Sequence, residues 1–102
     1  MRPEAMKRTR ETVLQKLEEN RDHLRSLGVK RLGLFGSCAR GEATEASDLD
    51  FVVELENETF DAYMDLKEFL EALFHCPVDL VLIDAIKPRL RETILGETIY
   101  AP

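Results

Sequence analysis

Residues 35–53 read Phe35-Gly36-Ser37-Cys38-Ala39-Arg40-Gly41-Glu42-Ala43-Thr44-Glu45-Ala46-Ser47-Asp48-Leu49-Asp50-Phe51-Val52-Val53. A β-forming run, Val29 to Phe35, enters this stretch and stops at Gly36-Ser37. Cys38 to Gly41 leaves room for little more than a helical turn, and Gly41 to Ser47 is polar and acidic. A second β-forming run, Asp48 to Leu55, then begins, with Phe51-Val52-Val53 at its centre. The intervening loop of about a dozen residues is long for a hairpin, which marks it as a functional loop.

Working outward, Val13, Leu14, Leu17, Leu24 and Leu27 recur near helical spacing after Thr9 or Thr12, predicting one N-terminal helix that ends at Gly28. Beyond the second strand, Thr59 to Phe74 carries Phe60, Tyr63, Met64, Leu66, Lys67, Phe69, Leu70 and Leu73 on one stripe and predicts a long helix. Val78 to Ile83 is apolar except for Asp79 and reads as a strand at the centre of a sheet. Lys87 to Leu95 predicts a last helix, with Pro88 in its first turn and Gly96 at its end. The alternation gives an α/β (α+β) fold: a small mixed sheet of three or more strands flanked by three to four helices.

With 102 residues, 1–102 is expected to form a single domain. No apolar run approaches the ~20 residues of a membrane helix, and the polar start Met1-Arg2-Pro3-Glu4-Ala5-Met6-Lys7-Arg8 lacks a signal-peptide core. A cytoplasmic, membrane-independent protein is expected. Cys38 and Cys76 have no metal spacing and are expected to stay reduced there, Cys76 as core filler. Twenty acidic against fourteen basic side chains give a net charge of −6. Such a chain has no basic stripe for tracking a nucleic-acid polymer, so any nucleotide substrate is small, its charge handled locally.

Three features can do that. At Gly36-Ser37 a strand gives way to a short turn whose unpaired N–H groups could cradle an anion, with the Ser37 hydroxyl as a further donor; Ser37 as a plain helix cap accounts for the same residues. Asp48 and Asp50 stand two apart on a strand and so project from one face. At roughly 5 Å and an effective dielectric of ~20 they repel by about 3 kcal/mol, which a cation or a proton relieves; hard oxygen ligands so placed suit Mg²⁺. A solvated strand start is the ordinary alternative. Asp79 lies in an apolar strand and, if buried, needs a partner, either a basic side chain and backbone donors or the same cation. Were these strands neighbours, three carboxylates and a phosphate cradle would converge, the equipment for metal-assisted nucleotidyl transfer.

The Gly36-Ser37 pair, the Asp48-Leu49-Asp50 pair ten residues on and the later strand Asp79 resemble the signature of the DNA polymerase β-like nucleotidyltransferase superfamily. The fuller string 35–53 and the closing Ile86-Lys87-Pro88-Arg89-Leu90-Arg91 resemble its minimal nucleotidyltransferase (MNT) proteins, often the antitoxin of a pair whose toxin is a HEPN-domain ribonuclease. The resemblance spans nearly the whole chain. It implies one or two Mg²⁺ held by Asp48 and Asp50, with Asp79 placing the second ion or accepting the hydroxyl proton. It implies ATP held at Gly36 and Ser37, with Arg40 and Ser47 touching phosphates or ordering the loop. Related antitoxins adenylylate a tyrosine of the toxin. Larger members add an acceptor-holding domain, so here the acceptor site is expected from a partner or from self-association, as a homo- or hetero-oligomer. The apolar faces of the first and last helices are candidates for docking, although such faces more often meet the core.

Two other functions fit the chain: an antitoxin that acts by covering its toxin, and the catalytic subunit of a two-chain transferase for a small hydroxyl compound. His23 and His75 do not form a ligand set, Glu54, Glu56 and Glu58 read as solvated surface, and Tyr100 is expected to pack rather than to be modified.

Overall fold

The computed structural model describes residues 9–42 and 48–101. Helices α1 (Arg10–Glu19) and α2 (Arg21–Ser26) lead into strand β1 (Val29–Phe35) and the one-turn helix α3 (Gly36–Ala39). Strand β2 (Leu49–Leu55), helix α4 (Phe60–Phe74) and strand β3 (Val78–Leu82) follow, then a 3₁₀ turn (Ile83–Ala85), helix α5 (Pro88–Glu97) and the short strand β4 (Ile99–Tyr100). The four strands form one mixed sheet in the order β3-β2-β1-β4. β1 is antiparallel to both β2 and β4, while β2 and β3 run parallel because α4 carries the chain back between them.

Alternation along β2 divides the interior into two layers. Leu49, Phe51, Val53 and Leu55 turn to one face, where Val13 and Leu17 of α1, Leu24 of α2 and Leu66, Leu70 and Phe74 of α4 cover them. Phe51 and Phe74 stack there at 5.9 Å. Val52 turns to the opposite face, a smaller cluster with Ile83 and Ile86 against which Phe35, Val81, Ile94 and Leu95 pack. Asp50 shares the parity of Val52 and therefore lies on this second, thinly covered face.

Several expected elements differ in detail. The N-terminal helix is two, broken at Asn20, whose side-chain amide turns back to donate to Lys16 O at 2.9 Å. Phe60, placed on the buried stripe of α4 by its spacing, is 76% exposed: it opens the helix, a turn before the stripe reaches the sheet. The apolar strand β3 is not central but lies at the sheet edge; its apolar residues are used on two faces, against α4 and against the 3₁₀ turn. Gly96 lies inside α5 rather than ending it. Cys38 is fully buried, whereas Cys76 is half-buried at the border of the larger layer. Strand β4 is too short for a periodic signal, and it can lie against β1 because Gly33 has no side chain: a Cβ there would come within 3.0 Å of Tyr100 Cδ1. Tyr100 is 36% exposed rather than packed inside, with the Arg31 guanidinium 5.1 Å above its ring. Among the described residues no helix is long and apolar enough to cross a membrane.

Candidate active site

Register places the carboxylates. In the antiparallel pair Phe35 stands opposite Asp50, and in the parallel pair Asp50 stands opposite Asp79. Side chains at register positions share a face, so Asp50 and Asp79 emerge side by side, next to the point where β1 turns into α3. Asp48 precedes β2 at an exposed position. Asp79 is exposed as well, which corrects the expectation of a buried carboxylate in a central strand: an edge strand leaves that face open to solvent.

The electrostatics identify a crowded anionic site. The carboxyl of Asp50, half-buried, is pushed up to about 6, first by burial, then by a hydrogen bond to Asp79 and by the charges of Asp79 and Asp48; Arg40 pulls it the other way. Among the described residues no three His, Cys, Asp or Glu side chains are drawn into a closed metal cage. Mg²⁺ requires none, because one or two carboxylates suffice when substrate phosphate and water complete its shell. An all-oxygen donor set held in mutual repulsion fits such an ion.

Gly36 joins this cluster through its backbone. It adopts φ +80°, and a Cβ built on it would overlap Asp50 Oδ2 and sit 3.1 Å from Cγ. Only a residue without a side chain permits this approach. From Gly36 the chain turns tightly: Arg40 N–H donates to Gly36 O, Gly41 N–H to Cys38 O and Glu42 N–H to Ser37 O. Arg10 of α1 donates through Nη1 to Ala39 O at 3.1 Å, holding the end of α3 from behind. Ser37 is half-buried within the turn. Ser47 lies outside the described residues.

The fold adds a residue to the neighbourhood that the motif did not indicate. Glu97, the last residue of α5, accepts from Gly36 N–H at 3.2 Å and from Arg40 Nη1 at 3.0 Å. Its separation of 57 and 61 residues from these partners hides it from any local motif. One local sign exists: a carboxylate in the last helical turn opposes the helix dipole and so asks for a cation elsewhere. On the other side of the sheet, Lys67 Nζ donates to Glu71 Oε2 and Val78 O, both at 2.9 Å, fastening α4 to the start of β3 one residue before Asp79.

Residues 13–101 match the nucleotidyltransferase domain family. The chain is 38% identical over 94 residues to the protein adenylyltransferase MntA of Thermococcus cleftensis, covering 90% of this chain and 95% of that protein. A solved structure described as a minimal nucleotidyltransferase is 42% identical, covers 84% of this chain and 93% of its own, and superposes with a TM-score of 0.69. The fold recurs, at 20% identity and a TM-score of 0.62, in the complex of a tri-AMPylated Shewanella oneidensis HEPN toxin with its MNT antitoxin, covering 87% of this chain and 71% of that one. The family match over residues 13–101 and the identity to relatives along most of their length agree, and the chain belongs to the nucleotidyltransferase domain family.

Proposed function

We propose that this protein transfers AMP from ATP to the hydroxyl of a tyrosine on a HEPN-domain toxin, with Mg²⁺, and so acts as an antitoxin by adenylylation. The observation that carries the reading is the meeting of Asp50 and Asp79 at facing register positions, with Asp48 two residues upstream and Gly36 in contact with Asp50. The 38% identity to a named protein adenylyltransferase supports the chemistry, and the solved antitoxin–toxin complexes of the same fold support the class of partner.

In this mechanism Asp48 and Asp50 would hold Mg²⁺, with Asp79 adjoining for a second ion. When bound, the cation supplies counter-charge for the triphosphate and for the departing pyrophosphate. Ser37, Arg40 and Ser47 would receive the phosphates, with Gly36 letting the chain approach them closely, and Arg40 also acts on Asp50. The carboxylates repel a bare triphosphate, so the nucleotide enters with its cation. The tyrosine oxygen bonds to the α-phosphorus as the bond from that phosphorus to the pyrophosphate oxygen breaks, and the hydroxyl proton passes to Asp79. The site orients the reactants, and the partner supplies the tyrosine in place. Residues 1–102 act as one nucleotidyltransferase domain in the cytoplasm, where ATP and the toxin are present.

The test is incubation with Mg²⁺ and ATP labelled on the α-phosphate in a lysate of the native host, beside the Asp48→Asn/Asp50→Asn variant. Transfer of label to a protein band that is absent with the variant is the expected result, with the modified residue a tyrosine. Label on no protein, despite intact nucleotide binding, rejects protein adenylylation.

A further inference from the structure

We propose that Glu97 is a positioning residue for nucleotide binding: its single carboxylate clamps Arg40 and the Gly36 amide, so that the turn between them meets the phosphates already ordered. This rests on the reading of the site as nucleotidyl transfer. Glu97 Oε1 accepts from Arg40 Nη1 at 3.0 Å while Oε2 accepts from Gly36 N–H at 3.2 Å, so one side chain grips both ends of the segment 36–40.

Arg40 carries donors on Nε, Nη1 and Nη2. Glu42 takes Nε at 3.1 Å and Glu97 takes Nη1, whereas Nη2 meets no acceptor among the described residues. A phosphate oxygen is the natural third partner of a guanidinium held in this way. An arginine on the surface has wide rotamer freedom, and ordering it on binding weakens affinity. Two carboxylates from different segments remove that freedom before the ligand arrives.

The second bond has a different effect. Fixing the Gly36 N–H fixes the peptide that lies against Asp50, so the clamp reaches the carboxylate side of the site too. The Arg40–Glu97 pair is partly exposed, 46% and 26% at the two side chains, so it adds little to stability. Its loss is therefore read in binding rather than in folding.

The test is a double-mutant cycle on the full chain, titrating Mg²⁺ with a non-hydrolysable ATP analogue into wild type, Glu97→Ala, Arg40→Ala and the double variant. Melting temperatures are measured in parallel. Glu97→Ala is expected to weaken binding about tenfold, the scale of one charge-assisted hydrogen bond. The loss in the double variant is expected to fall short of the sum of the two single losses, since part of what Glu97 does passes through Arg40. Glu97→Gln, which keeps an acceptor but turns an NH₂ towards one donor, falls between wild type and alanine and carries the same cycle if the alanine variant fails to fold. Wild-type affinity in Glu97→Ala, or additive losses in the double variant, overturns the clamp while leaving the nucleotide site intact. Absence of binding by the wild type removes the nucleotidyl-transfer reading and the clamp together.

Discussion

At Gly36 two requirements meet, a left-handed backbone and an approach to the Asp50 carboxylate that leaves no space for a methyl group. Gly36→Ala is expected to cost about 1–2 kcal/mol from the backbone alone, and to displace Asp50 as well. Thermal melts with and without Mg²⁺–nucleotide check both parts: a lower melting temperature, and loss of the ligand-induced rise. Asp50 gives a prediction with a definite sign. Its folded carboxyl titrates at about 6 against an unfolded value of 3.8. Within that window the folded chain binds more protons than the unfolded chain, so stability of the metal-free protein falls as pH rises through it. Asp50→Asn should therefore stabilise the metal-free protein at pH 7 by about 1 kcal/mol, once solvent screening of a half-exposed group is allowed for. The same change should abolish transfer. Denaturant melts at pH 4 and pH 7 test this, the gain expected only at the higher pH. Mg²⁺ affinity of the wild type should fall below pH ~6 as the proton competes for the site.

Elements are joined at their ends by specific bonds. Helix α4 begins at Thr59, whose hydroxyl accepts from Ala62 N–H at 3.1 Å, and ends at His75 in the left-handed region, φ 55° and ψ 41°. Glycine occupies that terminal position without strain, so His75→Gly should stabilise the chain by about 0.5–1 kcal/mol, the steric relief offset in part by unfolded-state entropy. Equilibrium unfolding measures this directly. Along its length α4 is held to β3 by Tyr63 Oη donating to Leu80 O at 2.7 Å and by the Lys67–Glu71 pair that grips Val78. These bonds place the strand that carries Asp79, far from any sequence motif.

In the whole molecule the two sheet faces have separate tasks. One is the main core, and the other carries Asp50 and Asp79 beside the smaller apolar cluster to which α5 contributes Ile94 and Leu95. The apolar residues of α1 meet the core, as amphipathic helices commonly do, whereas α5 buries no residue fully and leaves Leu90 45% exposed. Leu70→Ala, in the main core, should cost about 2–5 kcal/mol, while Leu90→Glu should change stability by within ~0.5 kcal/mol. Chemical denaturation of the two variants separates a packing face from a solvent face.

The sequence by itself determined the strands around 29–35 and 49–55 and the long helix after Thr59, and it offered Gly36, Ser37, Asp48, Asp50 and Asp79 as a candidate motif, because periodicity and the rarity of paired carboxylates on a strand are local properties. Its resemblance to nucleotidyltransferases was legible for the same reason, as fixed residue types at fixed spacing. Local pattern could not determine which strand lies at an edge, since β3 is apolar enough for a centre but draws on two thin layers instead. Nor could it reveal the break at Asn20, a side chain turning back on its own helix, or the two-residue strand β4. Only the tertiary structure brought Asp50 opposite Asp79 and carried Glu97 to Gly36 and Arg40, because those contacts depend on register and on where α5 returns to the sheet.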